Sequence, residues 1–178
     1  MTPPEEISPY LAARLLREAE GYAELGLPED ALARVERVLD AGRYRSPALG
    51  VKAEILRSLG RYAEAAPLLR EICDAEPSNV PARLALGWCL KRTHDIAGAI
   101  AALQEAREAS PDDALVIYNL ACYKALAGLR DEALDLLREA IAREASYREQ
   151  ARSESDFASL RDDPEFRELT APESASEP

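Results

Sequence analysis

The sequence predicts an all-α array of helical hairpins, and three observations carry that reading. The first is an internal period: Gly26, Gly60, His94 and Gly128 stand 34 residues apart. The same step links Ala31, Ala65, Ala99 and Ala133, then Ala19, Ala53, Gly87 and Ala121, then Val35, Leu69, Leu103 and Leu137, and then Val38, Ile72, Ala106 and Ala140. Five registers that share one period over four copies mark a repeat architecture. The second observation is helical spacing of apolar residues within a copy, as in Leu32, Val35, Val38 and Leu39 or Leu134, Leu137 and Ile141. The third is punctuation, because helix-start residues and the glycine stops recur at fixed points of the period.

Taken in order, residues 1–8 read as a flexible lead, and Ser8-Pro9 supplies an N-cap hydroxyl with Pro at the first helical position. Four copies follow, at about 12–45, 46–79, 80–113 and 114–147, within a repeat region of 9–145. Ser46-Pro47 reads as a second Ser-Pro start. Ser110-Pro111-Asp112-Asp113 places negative charge where a helix N-terminus is positive. The glycines fall between the two helices of each pair, and small residues midway along the first helix let the pair cross closely. After the fourth copy the pattern changes. Residues 146–170 read as a helical cap, in which Tyr147, Phe157, Leu160 and Phe166 cover the last apolar face. The Pro/Ser/Glu-rich end, 171–178, reads as disordered.

A 34-residue period of helical hairpins resembles the tetratricopeptide repeat family. In the copy from Val80 the family's small residue is Gly87, its second-helix Ala is Ala99, the later Ala is Ala106 and the closing Pro is Pro111. The copy from Ser46 supplies Ala53, Gly60, Ala65 and Pro77. The copies from Ala12 and Ala114 have Arg43 and Ala145 in place of the closing Pro, and the family's large fourth residue is Leu15, Leu49, Arg83 or Ile117. The resemblance implies a right-handed α-solenoid whose core arises from stacked hairpins, and a non-catalytic role in holding other proteins.

The 178 residues are 47% apolar and 31% charged, with a net charge of −11. Such a surface repels phosphate backbones and anionic headgroups, so nucleic-acid and membrane binding are not expected. MTPPEEISPY lacks the apolar run of a secretory signal, and no stretch is long enough to span a bilayer. Cys73, Cys89 and Cys122 lie far apart and form no metal or disulfide spacing, so reduced, buried thiols in a cytoplasmic protein are expected. With one histidine, no metal set is expected. No phosphate loop, dinucleotide fingerprint, nucleophile elbow or zinc-protease motif occurs, so neither cofactor nor catalytic residue is expected.

His94 is the one residue that invites a mechanism. Its three counterparts are glycine, so the period assigns it to a turn that needs a left-handed residue, a conformation His tolerates better than most. The competing reading makes Cys89 and His94 the working residues of an enzyme subunit.

The resemblance also implies which side chains line a concave groove. They include Glu54 and Arg57 in the second copy, Leu84, Trp88, Lys91 and Arg92 in the third, and Tyr118, Asn119 and Cys122 in the fourth. Leu84, Trp88, Lys91 and Arg92 also share one helical face by spacing alone. Trp88 reads either as packing against the neighbouring hairpin or the cap, or as an exposed peptide anchor. One branch of the family clamps a C-terminal carboxylate. Asn119 matches its middle Asn, but Leu84, Trp88, Glu149 and Ser153 occupy its other positions, so that clamp is not expected. The expected function is a scaffold or adaptor that binds a partner peptide or helix in this groove, with homo-oligomerisation as the alternative.

Overall fold

The computed structural model describes residues 7–172, which form ten α-helices and one 3-10 helix, with no strand among them. The expected flexible lead and disordered end fall partly on residues 1–6 and 173–178, which lie outside the described residues. The chain divides between Thr93 and His94 into two compact units.

The first unit holds α1 (Pro9–Glu24), α2 (Pro28–Asp40), α3 (Arg45–Ser58), α4 (Tyr62–Ala75) and α5 (Val80–Arg92). α1 pairs with α2 and α3 with α4, and α5 packs on α4. Its first core cluster is made of small and branched residues: Ala12, Leu15, Ala19, Ala31, Val35, Val38, Ala48 and Ile55. Ala19 and Ala31 are fully buried, as close crossing of α1 and α2 requires. Ser8 caps α1 as its sequence suggests, accepting from the Leu11 amide at 3.2 Å.

The reading of Ser46 as a cap is corrected. α3 begins two residues earlier, with Tyr44 at the N-cap, and Pro47 sits within the first turn, where a missing amide costs little. Including Arg45 in the helix lets its guanidinium reach Glu71 of α4 in a two-pronged ion pair.

The second unit holds α6 (Ile96–Ala109), α7 (Ala114–Leu126), α8 (Arg130–Arg143), α9 (Ser146–Ser153), the 3-10 helix Ser155–Leu160 and α10 (Pro164–Thr170). Asp95 caps α6 through the Gly98 amide at 2.9 Å, and Asp113 caps α7 through Leu115 and Val116. α7 is buried nearly all round, the signature of a helix with no wet face. Tyr147, Phe157, Leu160 and Phe166 are all buried. Phe157 lies 5.5 Å from Phe166 and 6.0 Å from Tyr118, ring centre to ring centre. Arg130 grips Asp163 at 2.6 and 2.9 Å and reaches Glu165 at 3.1 Å, fastening α10 to α8.

His94 has φ 64°, against 73°, 72° and 74° at Gly26, Gly60 and Gly128. It is the only non-glycine residue with a positive φ among the described residues. The histidine is therefore a turn residue in a glycine's place.

Candidate interaction groove

In the first unit, α3 and α5 present the side chains that the groove reading requires. Between them and α4 lies a pocket of about 420 Å³. Pro47, Gly50, Glu54 and Arg57 of α3 and Pro81, Ala82 and Ala85 of α5 line it, with Leu69 and Ile72 of α4 behind them. Pro47 and Gly50 keep this wall low and apolar. Asn79, at its lower end, caps α5 through the Ala82 amide at 3.0 Å and donates to Glu76 at 2.8 Å.

A cluster of cations and rings forms around Trp88. The Arg57 guanidinium lies 4.8 Å from the centre of the Trp88 ring, and Arg92 lies 5.8 Å from it. Tyr62, at the start of α4, meets Trp88 edge-on at 4.9 Å, and Arg92 lies 5.1 Å over Tyr62. Flat cations over electron-rich ring faces attract without using their N–H donors, which stay available for other acceptors. Arg57 donates to Glu54 at 2.6 Å, but its Nε is buried with no acceptor. Arg92 is exposed and makes no ion pair among the described residues.

The structure brings together Glu54, Arg57, Trp88 and Arg92. Leu84 and Lys91 are half-buried on the same helix as Trp88. Trp88 itself is half-buried, so its packing against the preceding hairpin and a partial exposure coexist.

Two of the expected groove residues are placed differently. Tyr118 is 6% exposed and stacks on Tyr147 at 4.3 Å, and Cys122 is 2% exposed. The cap that follows α7 covers them, so they belong to the core of the second unit. Burial pushes the Tyr118 phenol well above its ordinary range, and the nearby Cys122 thiol and the Glu154 and Asp156 carboxylates push it the same way. Asn119 spends its side-chain amide on the Leu115 carbonyl at 2.8 Å.

Sequence reasoning missed Tyr62. Its counterparts one period away are Pro28, Ile96 and Arg130, so no register marks it. The one local signal is an aromatic residue just beyond the turn glycine Gly60.

All three cysteines are buried, and none forms a disulfide. Burial raises the Cys89 thiol, with the Arg57 guanidinium pulling the other way. A thiol so held offers little thiolate. No group of three or more metal-ligating side chains occurs among the described residues. None of the described helices is long and apolar enough to cross a membrane.

Two sequence profiles of the tetratricopeptide repeat match the chain, at residues 16–80 and 56–121. Together they span 16–121, more than half of its length, and the chain belongs to the tetratricopeptide repeat family. Solved structures share the fold. A crystal structure of MamA aligns with a TM-score of 0.74 at 17% identity, covering 94% of this chain and 98% of that one. A fragment of MamA from Desulfovibrio magneticus RS-1, residue 41 to the end, aligns at 0.71 and 17% identity over 89% and 93% of the two chains. YrrB, described as a tetratricopeptide repeat protein with an unusual peptide-binding site, aligns at 0.66 and 22% identity over 75% and 69%. Among curated proteins, nothing matches the chain.

Proposed function

We propose that the protein is a non-catalytic interaction module that holds a segment of a partner protein, a peptide or a helix, against the first-helix face of its N-terminal hairpins. The observation that carries this reading is the open pocket of about 420 Å³, one wall of which is the partly exposed Arg57 side chain. An apolar side chain fits the wall of Pro47, Gly50, Pro81 and Ala85. A neighbouring carboxylate suits Arg57, Arg92 and Lys91. Trp88 serves as the platform that orients two guanidiniums and offers its remaining ring surface to the ligand. The peptide-binding site named for YrrB supports a role of this kind for the fold. Three cysteines outside any disulfide support a reducing compartment, which we take to be the cytoplasm.

The test begins with capture of the partner from native cytoplasm, followed by calorimetric titration of the purified pair. Truncation of a central aromatic anchor costs about 2 kcal/mol or more, so W88A weakens binding by roughly thirtyfold. The double charge reversal K91E/R92E weakens it less, and its effect shrinks as salt is added. A correctly folded W88A protein that binds the partner as tightly as the parent would remove this groove from consideration.

A further inference from the structure

A second pocket opens on the same face of the first unit, between α1 and α3, with a volume of about 410 Å³. Its floor is apolar, made by Ala23, Val51 and Ile55, while Glu20, Glu24 and Glu54 stand on its rim. Glu20 and Glu24 are four residues apart, so they share one face of α1. Both are exposed, and neither has an ion-pair or hydrogen-bond partner among the described residues. The contrast with Glu18 is informative, because that side chain lines no part of the pocket and is neutralised by both Arg14 and Arg34. α1 thus pairs its glutamate away from the pocket and leaves two like charges facing each other beside it, an arrangement unfavourable in the free protein.

We infer that this pocket receives a cationic side chain of the bound segment, a Lys or Arg lying next to an apolar residue. The inference rests on the groove reading above and adds the sign of the charge that the N-terminal end of the groove takes. The aliphatic stem of Lys or Arg covers Ala23, Val51 and Ile55, while its charged head reaches Glu20 and Glu24. A stem of three or four methylenes suits a floor that is apolar but shallow. The head group relieves the repulsion that the two glutamates carry alone. The net charge of −11 draws such a segment in, whereas it opposes an all-acidic one. Glu54 lines both pockets, so they adjoin at that side chain. A segment laid across them runs from a cation over α1 to an apolar residue and a carboxylate near Arg57, and the groove reads it in one direction only.

Dodecapeptides selected from a phage-displayed library against the full chain supply the probes. The tightest is synthesised, together with a copy in which its Lys or Arg is replaced by Gln. Both are titrated against the parent, E20Q/E24Q and W88A at low and high salt. The selected peptides should carry Lys or Arg beside an apolar residue. E20Q/E24Q should bind the cationic peptide on the order of tenfold more weakly at low salt, less so at high salt, and should not discriminate against the Gln copy. Its melting temperature should be equal to the parent's or slightly higher, which separates a lost contact from a lost fold. Peptides that lose affinity for W88A but not for E20Q/E24Q overturn the cation pocket and leave the groove reading standing. Peptides indifferent to both variants, or a library that yields no binder, overturn both.

Discussion

Leu84 and Tyr118 occupy the same position one period apart, and so do Trp88 and Cys122, yet the two units use these positions in opposite ways. On α5 they are half-buried, beside a pocket and two guanidiniums. On α7 they are core, sealed by Tyr147 and Phe157 from the cap. Position in the repeat fixes the direction in which a side chain points. What it meets there depends on the next element. In the second unit that element is a cap rich in aromatic residues, so the groove face of α7 becomes the last layer of a hydrophobic core. The residue choices follow. α7 carries Tyr118, Cys122 and Tyr123 where packing is dense, while α5 carries Trp88, half-buried, beside the exposed Arg92.

The largest effect that could break this comparison lies in stability. Phe157 is fully buried between Tyr118 and Phe166. F157A should therefore lower the unfolding free energy by about 3–5 kcal/mol, measured by urea denaturation, through lost burial and the cavity left behind. It should leave partner binding near the parent's value at temperatures where the protein stays folded. W88A should show the reverse pattern: about 1–2 kcal/mol of stability, because the ring is only half-buried, and a large loss of binding. Equal stability losses in the two variants would show that the two faces are not different in kind.

A smaller effect concerns the Tyr118 hydroxyl, which is buried beside the Cys122 thiol. Its phenol is raised from an ordinary value of 10.0, first by burial. A group that holds its proton more tightly in the folded state favours folding below its unfolded pKa and loses that advantage as pH rises above it. The parent should thus lose stability above pH 10, at up to about 1.4 kcal/mol per pH unit from this one group. Y118F should remove that slope and leave the share due to Tyr147, which burial also raises. At neutral pH, Y118F should stay within about 1 kcal/mol of the parent, since the only contact removed is that of a buried hydroxyl beside a thiol. Chemical denaturation of both proteins between pH 7 and 11 measures each part. Identical pH slopes would show that the phenol ionises in place and that the cap is looser than its packing suggests.

The sequence made the repeat legible because each hairpin solves the same packing problem, and residues that solve it recur every 34 positions. Ala19, Ala31 and Ala53 had to be small, Val35 and Leu69 had to be apolar, and all are buried. The cap was legible for a different reason: Tyr147, Phe157, Leu160 and Phe166 break the period while still offering large apolar side chains to cover the last hairpin. The groove was legible only in part. Assigning Tyr118 and Cys122 to it treated α7 as an interior first helix, although the cap predicted from the same sequence covers the middle of that face. Tyr62 was hidden because contacts between hairpins need not repeat. The start of α3 at Arg45 depends on Glu71, 26 residues away, a tie that local cap chemistry cannot reveal.

The smallest expected effect sharpens the comparison at the turns. Gly26 and Gly60 serve the first unit, while His94 and Gly128 serve the second, all with the same left-handed backbone. At Gly60 the amides of the turn donate to Arg57 and Leu56 at 3.0 and 2.8 Å, and at Gly128 they donate to Ala125 and Lys124 at 3.0 and 2.9 Å. A Cβ added at Gly26 or Gly128 meets nothing within 4 Å, and at Gly60 only the Tyr62 hydroxyl at 3.9 Å. Steric crowding by neighbours is therefore absent, and any cost of a side chain is the backbone's own. G60A and G128A should each lose about 1 kcal/mol. H94G relieves the same strain but gives the unfolded chain more freedom, so the two effects partly cancel and a gain of about 0.5 kcal/mol remains. H94A relieves nothing and should stay within about 0.5 kcal/mol of the parent, because alanine meets the same left-handed penalty. Thermal and urea unfolding of the four variants would rank them H94G, then parent and H94A, then G60A and G128A. If H94G instead falls below the parent, the imidazole contributes a contact of its own at this turn. Position 94 would then differ in kind from the three glycines that share its backbone.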